Sequence, residues 1–166
     1  MNLVPRIGLG IDVHRLEPGR RCVIGGVELS CAVGPVGHSD GDAVLHAVCD
    51  ACLGAAGLDD LGTLFPDRDP AHKARDSAEF CAEVMARLTA AGLLVMSLDI
   101  VVECEQPKLA PHRETIRARI AELFGAEFGR VNLKGKTGEK VGPIGRGEAL
   151  RATAVALLVE AAPRLD

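Results

Sequence analysis

The chain has no tryptophan and no tyrosine among its 166 residues, so four phenylalanines carry all of its aromatic packing. A core must then be built from aliphatic side chains and alanine, with elements packed closely. An excess of one charge is also missing: 19 Lys and Arg stand against 23 Asp and Glu, a net of -4, with the signs interspersed. Neutralising a polyphosphate backbone takes a broad basic patch, so no nucleic-acid partner is expected. No segment approaches the roughly twenty consecutive apolar residues of a membrane span, and the first residues show no charged leader before a long apolar run. The expectation is no membrane contact and a cytoplasmic location. Linkers, repeats and low-complexity tracts are absent too, and with 48% hydrophobic residues the chain reads as a single domain over 1–166.

Cysteine is present six times, but without the small size or export signal of a disulfide scaffold, so free thiols are expected. Cys49 and Cys52 fall in the middle of an Ala-rich helical run, whereas a redox pair sits at a helix start where the dipole lowers the thiol pKa. They read as small buried hydrophobes.

Positions 6–14 alternate, with Ile7, Leu9, Ile11 and Val13 apolar and Gly8, Gly10, Asp12 and His14 on the other face. Period two is a strand. The stretch 21–29 is a second extended segment broken at Gly25-Gly26, followed by a loop to His38. Helices are predicted over 41–56, 76–91, 112–124 and 147–161, strands over 93–104 and 131–137, and a loop over 57–73. The last helix rests on Leu150, Ala154, Leu157, Leu158 and Ala161. The order implies an α+β fold: a mixed sheet of roughly four strands with helices on one face, its other face needing a partner and so pointing to an oligomer.

Two residues apart on a strand, Asp12 and His14 point the same way with Cα atoms roughly 6.5–7 Å apart, so both can reach one ion. His46, early in the first helix, is the natural third ligand. Two imidazoles and a carboxylate suit zinc and leave its fourth position open. The plainer alternative is a surface ion pair of Asp12 and His14 with a hydrogen-bonded core histidine at 46. A second chemical segment, Lys134-Gly135-Lys136-Thr137-Gly138-Glu139-Lys140 with Gly145-Arg146-Gly147-Glu148, concentrates cations, a hydroxyl and glycine amides. Those are donors for phosphate oxygens, although a solvated basic loop has the same composition. Its spacing is not that of a P-loop.

Together these motifs resemble the 2-C-methyl-D-erythritol 2,4-cyclodiphosphate synthase family of non-mevalonate isoprenoid biosynthesis. The resemblance rests on Gly10-Ile11-Asp12-Val13-His14, Ile24-Gly25-Gly26-Val27, His38-Ser39-Asp40-Gly41-Asp42, Leu45-His46-Ala47, Phe65-Pro66-Asp67-Arg68-Asp69-Pro70, Pro107-Lys108-Leu109-Ala110-Pro111-His112 and Gly145-Arg146-Gly147-Glu148. It implies a homotrimer, joined through its sheet faces, with active sites between subunits. It also implies a metal-dependent lyase converting 4-diphosphocytidyl-2-C-methyl-D-erythritol 2-phosphate to the cyclic diphosphate and CMP. Asp12, His14 and His46 match the zinc ligands, and Glu139 matches the site of an Mg²⁺ or Mn²⁺ ion on the diphosphate. His38 and Thr137 match positions of transition-state stabilisation. Substrate contacts are implied at Asp12, Val13, His14, His38 and Ser39; at Asp60, Leu61 and Gly62; and at Phe65, Pro66, Asp67, Arg68 and Asp69. The cytidine-diphosphate pocket is implied at Cys104, Glu105, Gln106, Pro107, Lys108, Leu109 and Ala110 and at Lys136, Thr137, Gly138 and Glu139; Pro143 and Arg146 are implied as further substrate-binding positions.

The chain departs from the family pattern at Ile11 and Pro143, where aromatics commonly line an apolar cavity on the trimer axis. Gly138 stands for a more usual polar residue, and Glu105 puts a carboxylate beside the expected cytosine pocket. Two other readings stay open from the residues alone. One is a non-haem Fe(II) oxygenase, which also uses two histidines and a carboxylate but on a β-rich barrel. The other is a trimeric zinc-containing ligand-binding protein without turnover.

Overall fold

The alternating segment forms strand β1 (Arg6–Pro18), and it presents its apolar side outward. Ile7 is 72% exposed, Leu9 60%, and Ile11 and Val13 54% each. The other face is covered by helix α1 (Ala43–Ala56), and the reason is the two glycines. A Cβ on Gly10 would lie 2.0 Å from the Ala47 carbonyl oxygen, and one on Gly8 1.9 Å from that of Ala51. Helix backbone therefore rests directly on strand backbone, a contact that tolerates no side chain. This computed structural model describes residues 4–37, 39–66 and 75–161.

Strands β2 (Cys22–Ile24) and β3 (Val27–Leu29) form a hairpin turned by Gly25-Gly26. Both glycines have positive φ, 61° and 74°, and both turn N–H groups donate to the Asp42 carboxylate at 2.9 and 2.6 Å. Asp42 is fully buried; it also caps α1 by accepting from Val44 and Leu45. One carboxylate thus ties the hairpin to the start of the helix that carries His46. Burial pushes its pKa up to about 6, against the pull of those N–H donors.

After β4 (Val33–Pro35) and α1 come the short helix α2 (Leu61–Leu64), helix α3 (Ser77–Ala90), strand β5 (Leu93–Glu103), helix α4 (Arg113–Phe124), strand β6 (Val131–Lys136), the short helix α5 (Gly142–Gly145) and strand β7 (Ala149–Glu160). The sheet has five strands in the order β4-β1-β7-β5-β6, with only β5 and β6 parallel. It is the mixed α+β arrangement expected, but the segment expected over 21–29 is the β2–β3 hairpin outside this sheet, β4 forms within the expected loop to His38, and β7 is an extra strand.

That extra strand is the main correction. Residues 147–161 were expected as a helix, yet β7 is the central strand, paired with β1 on one side and β5 on the other. Its buried residues Leu150, Ala152, Ala154, Ala156 and Leu158 recur every second position. Alanine serves there as floor, not as helix former: Ala154 lies opposite Gly10 and Ala156 opposite Gly8, so α1 approaches both strands closely. Tertiary packing overrides the helix propensity of alanine. The expected loop over 57–73 likewise contains α2, started by the Asp60 carboxylate accepting from Thr63 N–H at 2.7 Å.

The core sits between the sheet and α1, α3 and α4 and is aliphatic: Leu45, Leu53, Leu88, Leu98, Ile100, Ile116, Ile120 and Leu133 are buried, with Phe124 as the largest member. Each such side chain contributes about 1.5–3 kcal/mol by leaving water. All six cysteines are free thiols, and Cys49 and Cys52 lie buried in α1. Burial pushes Cys52 up to about 12, the opposite of a reactive thiol.

Candidate functional site

Asp12, His14 and His46 come together as the spacing predicted. Their ligand atoms all lie within 4.8 Å of one another. The glycine-floored contact positions them: α1 sits on Gly8 and Gly10, and His46 lies one residue before Ala47, over the next same-face positions of β1. Asp12 Oδ2 is 3.0 Å from His14 Nε2 and 3.1 Å from His46 Nδ1. The His14 Nε2 contact lies outside hydrogen-bond geometry, so that buried nitrogen has no hydrogen-bond partner among the described residues. A buried nitrogen aimed at a shared carboxylate, with a second imidazole opposite, fits a cation better than it fits a hydrogen-bond network.

The electrostatics agree. Burial alone would raise the Asp12 carboxyl, but the His14 and His46 imidazoles outweigh it and hold Asp12 well below the usual carboxylate range. Burial pulls the His46 imidazole down, yet its hydrogen bond to Asp12 and the surrounding carboxylates shift it upward on balance.

The triad lines a cavity of about 360 Å³ together with Ser39, Leu61, Gly62, Phe65, Val36, Gly37, Asp50 and Phe80. Ser39, Leu61, Gly62 and Phe65 were expected there. Val36, Gly37, Asp50 and Phe80 were not. Asp50, one turn beyond His46 on α1, accepts from Leu61 N–H at 2.8 Å and could have been found by helical spacing. Asp60 caps α2, and Pro66 follows Phe65. Val13 turns its side chain to the exposed face of β1, away from its neighbours Asp12 and His14. His38, Asp67, Arg68 and Asp69 lie outside the described residues.

The phosphate segment is elsewhere. A second cavity of about 400 Å³ is lined by Cys104, Pro107, Lys108, Leu109, Ala110, Lys136 and Thr137, as expected, and also by Arg113, Leu133, Lys134 and Gly135. It shares no lining residue with the first. Arg113 is held in place by donating to the Leu133 carbonyl and to Asn132, a long-range tie that sequence spacing does not reveal. Beyond the cavity, Thr137 Oγ1 donates to Glu139 Oε1 at 2.9 Å, and Glu105 accepts from Gly138 N–H at 2.9 Å. Glu105, Gln106 and Arg146 line a separate cavity of about 340 Å³, where Arg146 is paired with Glu148. Pro143 lies in α5.

Residues 5–159 match the family model described as the YgbB family. The chain belongs to this family. A relative from Azoarcus sp. (strain BH72), a 2-C-methyl-D-erythritol 2,4-cyclodiphosphate synthase, is 47% identical, the match covering 94% of this chain and 96% of the relative. A solved structure of a 2C-methyl-D-erythritol-2,4-cyclodiphosphate synthase in a CDP-bound form superposes with a TM-score of 0.85 at 39% identity, covering 92% of this chain and 99% of the other. The bifunctional IspDF of Campylobacter jejuni gives a TM-score of 0.91 at 33% identity over 96% of this chain, which spans 43% of that longer protein.

Proposed function

We propose that this chain is a 2-C-methyl-D-erythritol 2,4-cyclodiphosphate synthase, a CMP-releasing phosphorus-oxygen lyase of isoprenoid biosynthesis that works in the cytoplasm. The observation that carries the reading is the three-ligand cluster of Asp12, His14 and His46 facing an open cavity, in a chain that aligns with synthases over nearly its whole length. The substrate is 4-diphosphocytidyl-2-C-methyl-D-erythritol 2-phosphate. An oxygen of its 2-phosphate attacks the β-phosphorus, the bond from that phosphorus to the CMP oxygen breaks, and CMP leaves with the electron pair. The protein supplies no nucleophile, so positioning and charge neutralisation must do the work.

Asp12, His14 and His46 would hold zinc and Glu139 would hold Mg²⁺ or Mn²⁺; when bound, these ions supply charge neutralisation and orientation for phosphate oxygens. A single carboxylate beside substrate phosphates is the usual Mg²⁺ arrangement. Lys108 and Lys136 line the proposed cytidine-diphosphate cavity, and the Thr137 hydroxyl would stabilise charge on the reacting phosphates; the same role is proposed for His38. Leu61, Gly62 and Phe65 bound the methylerythritol end and exclude water from it.

The active unit is a homotrimer packed through the exposed faces of β1. The two cavities share no lining residue among the described residues, and pairing the phosphate cavity of one subunit with the metal cavity of its neighbour would let one substrate reach both. The apolar stripe Ile7, Leu9, Ile11 and Val13 supports burial of that face in a larger assembly. An oxygenase reading asks for a barrel, whereas this sheet is open, with β4 and β6 at its edges.

The test is ³¹P NMR of the protein with its substrate, Zn²⁺ and Mg²⁺, with and without chelator. Chelator-sensitive appearance of CMP and a cyclic diphosphate is expected. Unchanged substrate in a metallated trimer would leave a ligand-binding protein without turnover.

A further inference from the structure

His46 has two ring nitrogens, and a metal ligand must keep the right one bare. Nδ1 faces Asp12. Nε2 faces α3, where it lies 3.0 Å from the hydroxyl of Ser77. Ser77 is fully buried, and its Oγ lies 2.5 Å from Asp40 Oδ1, while its backbone N–H donates to Asp40 Oδ2 at 3.1 Å.

The direction of these bonds follows from counting protons. A carboxylate only accepts, so the single Ser77 hydroxyl proton goes to Asp40. Ser77 Oγ can then only accept from the ring: a hydrogen on Nε2 serves it and the Ser39 oxygen 3.2 Å away, whereas a bare Nε2 would set two acceptors 3.0 Å apart at Ser77. The neutral imidazole carries one hydrogen, so Nδ1 is left with a lone pair aimed at the Asp12 carboxylate. Two acceptors 3.1 Å apart repel unless a positive charge lies between them: a second ring proton supplies it in the metal-free protein, and a divalent cation takes its place when bound. Phe80, one turn after Ser77 on α3, meets the same ring edge to face at 6.1 Å between centroids. The first turn of α3 therefore grips His46 by a hydroxyl and by a ring.

We infer that Asp40 and Ser77 are positioning residues that lock His46 in its Nε2–H tautomer, presenting Nδ1 to a divalent cation shared with Asp12 and His14. The inference rests on the proposed zinc site. It assigns a role to the Asp76-Ser77 helix start, which the reaction otherwise leaves unused, and it makes α3 the outer support of the ligand set.

The experiment compares wild type with Ser77→Ala and Ser77→Thr, all stripped of metal. Zinc affinity is read by competition with a chromophoric chelator, the His46 tautomer by long-range ¹H–¹⁵N NMR at a pH where the ring is neutral, and the fold by melting of the metal-free proteins. Ser77→Ala should weaken zinc about 10- to 100-fold, convert a single Nε2–H tautomer to a mixture, and leave metal-free melting unchanged. Ser77→Thr, which keeps the hydroxyl, should restore both readouts. Equal zinc affinity in wild type and Ser77→Ala overturns the relay alone. Weaker zinc with an unaltered tautomer and a lowered melting temperature also overturns it, because the loss is then one of packing. A wild-type chain that takes no zinc overturns the metal reading and the relay with it.

Discussion

The metal cavity and the phosphate cavity are built on opposite plans. The first takes its chemistry from side chains on a long strand and a long helix, Asp12 and His14 on β1 and His46 on α1, fixed by glycine-floored contact and by a buried carboxylate at the helix start. The second takes its chemistry from the end of β6 and the turns beyond it, where Glu139 and Lys140 adopt positive φ of 49° and 63°, and from the irregular stretch before α4. A site that must hold an ion to a fraction of an ångström is placed on rigid elements. A site that must admit and release a nucleotide is placed on turns.

The contrast can be broken in order of expected effect. Gly10→Ala should be the most damaging single change, because its Cβ would collide with the Ala47 carbonyl and separate α1 from β1. A loss on the order of 4 kcal/mol or more is expected in urea unfolding; a stable, zinc-binding variant would mean that the floor does not position His46. His46→Ala should abolish zinc uptake and CMP release while the metal-free protein melts within a few degrees of wild type, read by metal analysis and ³¹P NMR.

Asp42→Asn turns one acceptor oxygen into a donor, facing the Gly26 N–H if the remaining oxygen keeps Gly25, Val44 and Leu45, and should cost about 2–3 kcal/mol by chemical denaturation. Lys108→Ala touches only the second cavity. It should weaken CDP binding about tenfold, or about 1.4 kcal/mol, by calorimetry, with zinc content unchanged.

The smallest effect is one of pH. His46 is shifted above its ordinary 6.5, so its pairing with Asp12 stabilises the metal-free fold below that pH and fades as pH rises through the folded value. Asp12 is shifted below 3.8, so its part is present above that pH and lost in acid. Metal-free wild type should therefore gain melting temperature relative to His46→Ala at pH 5.5 and lose that gain at pH 9. With zinc the trend should reverse, since the ligands must be deprotonated to bind it.

How much of this was legible in the sequence follows the same division. The triad was readable because two ligands sit at strand spacing and the third follows a cap signal at the start of its helix. The strand at 131–136 and the helices at 43–56, 77–90 and 113–124 were readable from their periodicity and caps. The final strand was not, since its alternating alanines satisfy a helical count as well as a strand count, and only the helix lying across them decides. Asp40, Ser77 and Phe80 escaped for a different reason: Ser77 and Phe80 meet His46 from another element, Asp40 meets Ser77, and no local spacing records such contacts. Arg113 escaped in the same way, its role being set by the carbonyl of Leu133.

Strand β1 carries the ligands on its even positions and the apolar stripe on its odd ones, with nothing but register keeping the two apart. Substitutions at its outward, odd positions can be absorbed one at a time. A single inserted or deleted residue before Asp12 cannot, because it would turn the carboxylate toward the apolar stripe and an apolar side chain toward α1, where there is room only for glycine. Natural variation in this segment should therefore change letters and never length, and a one-codon deletion here should be as damaging as loss of the whole strand.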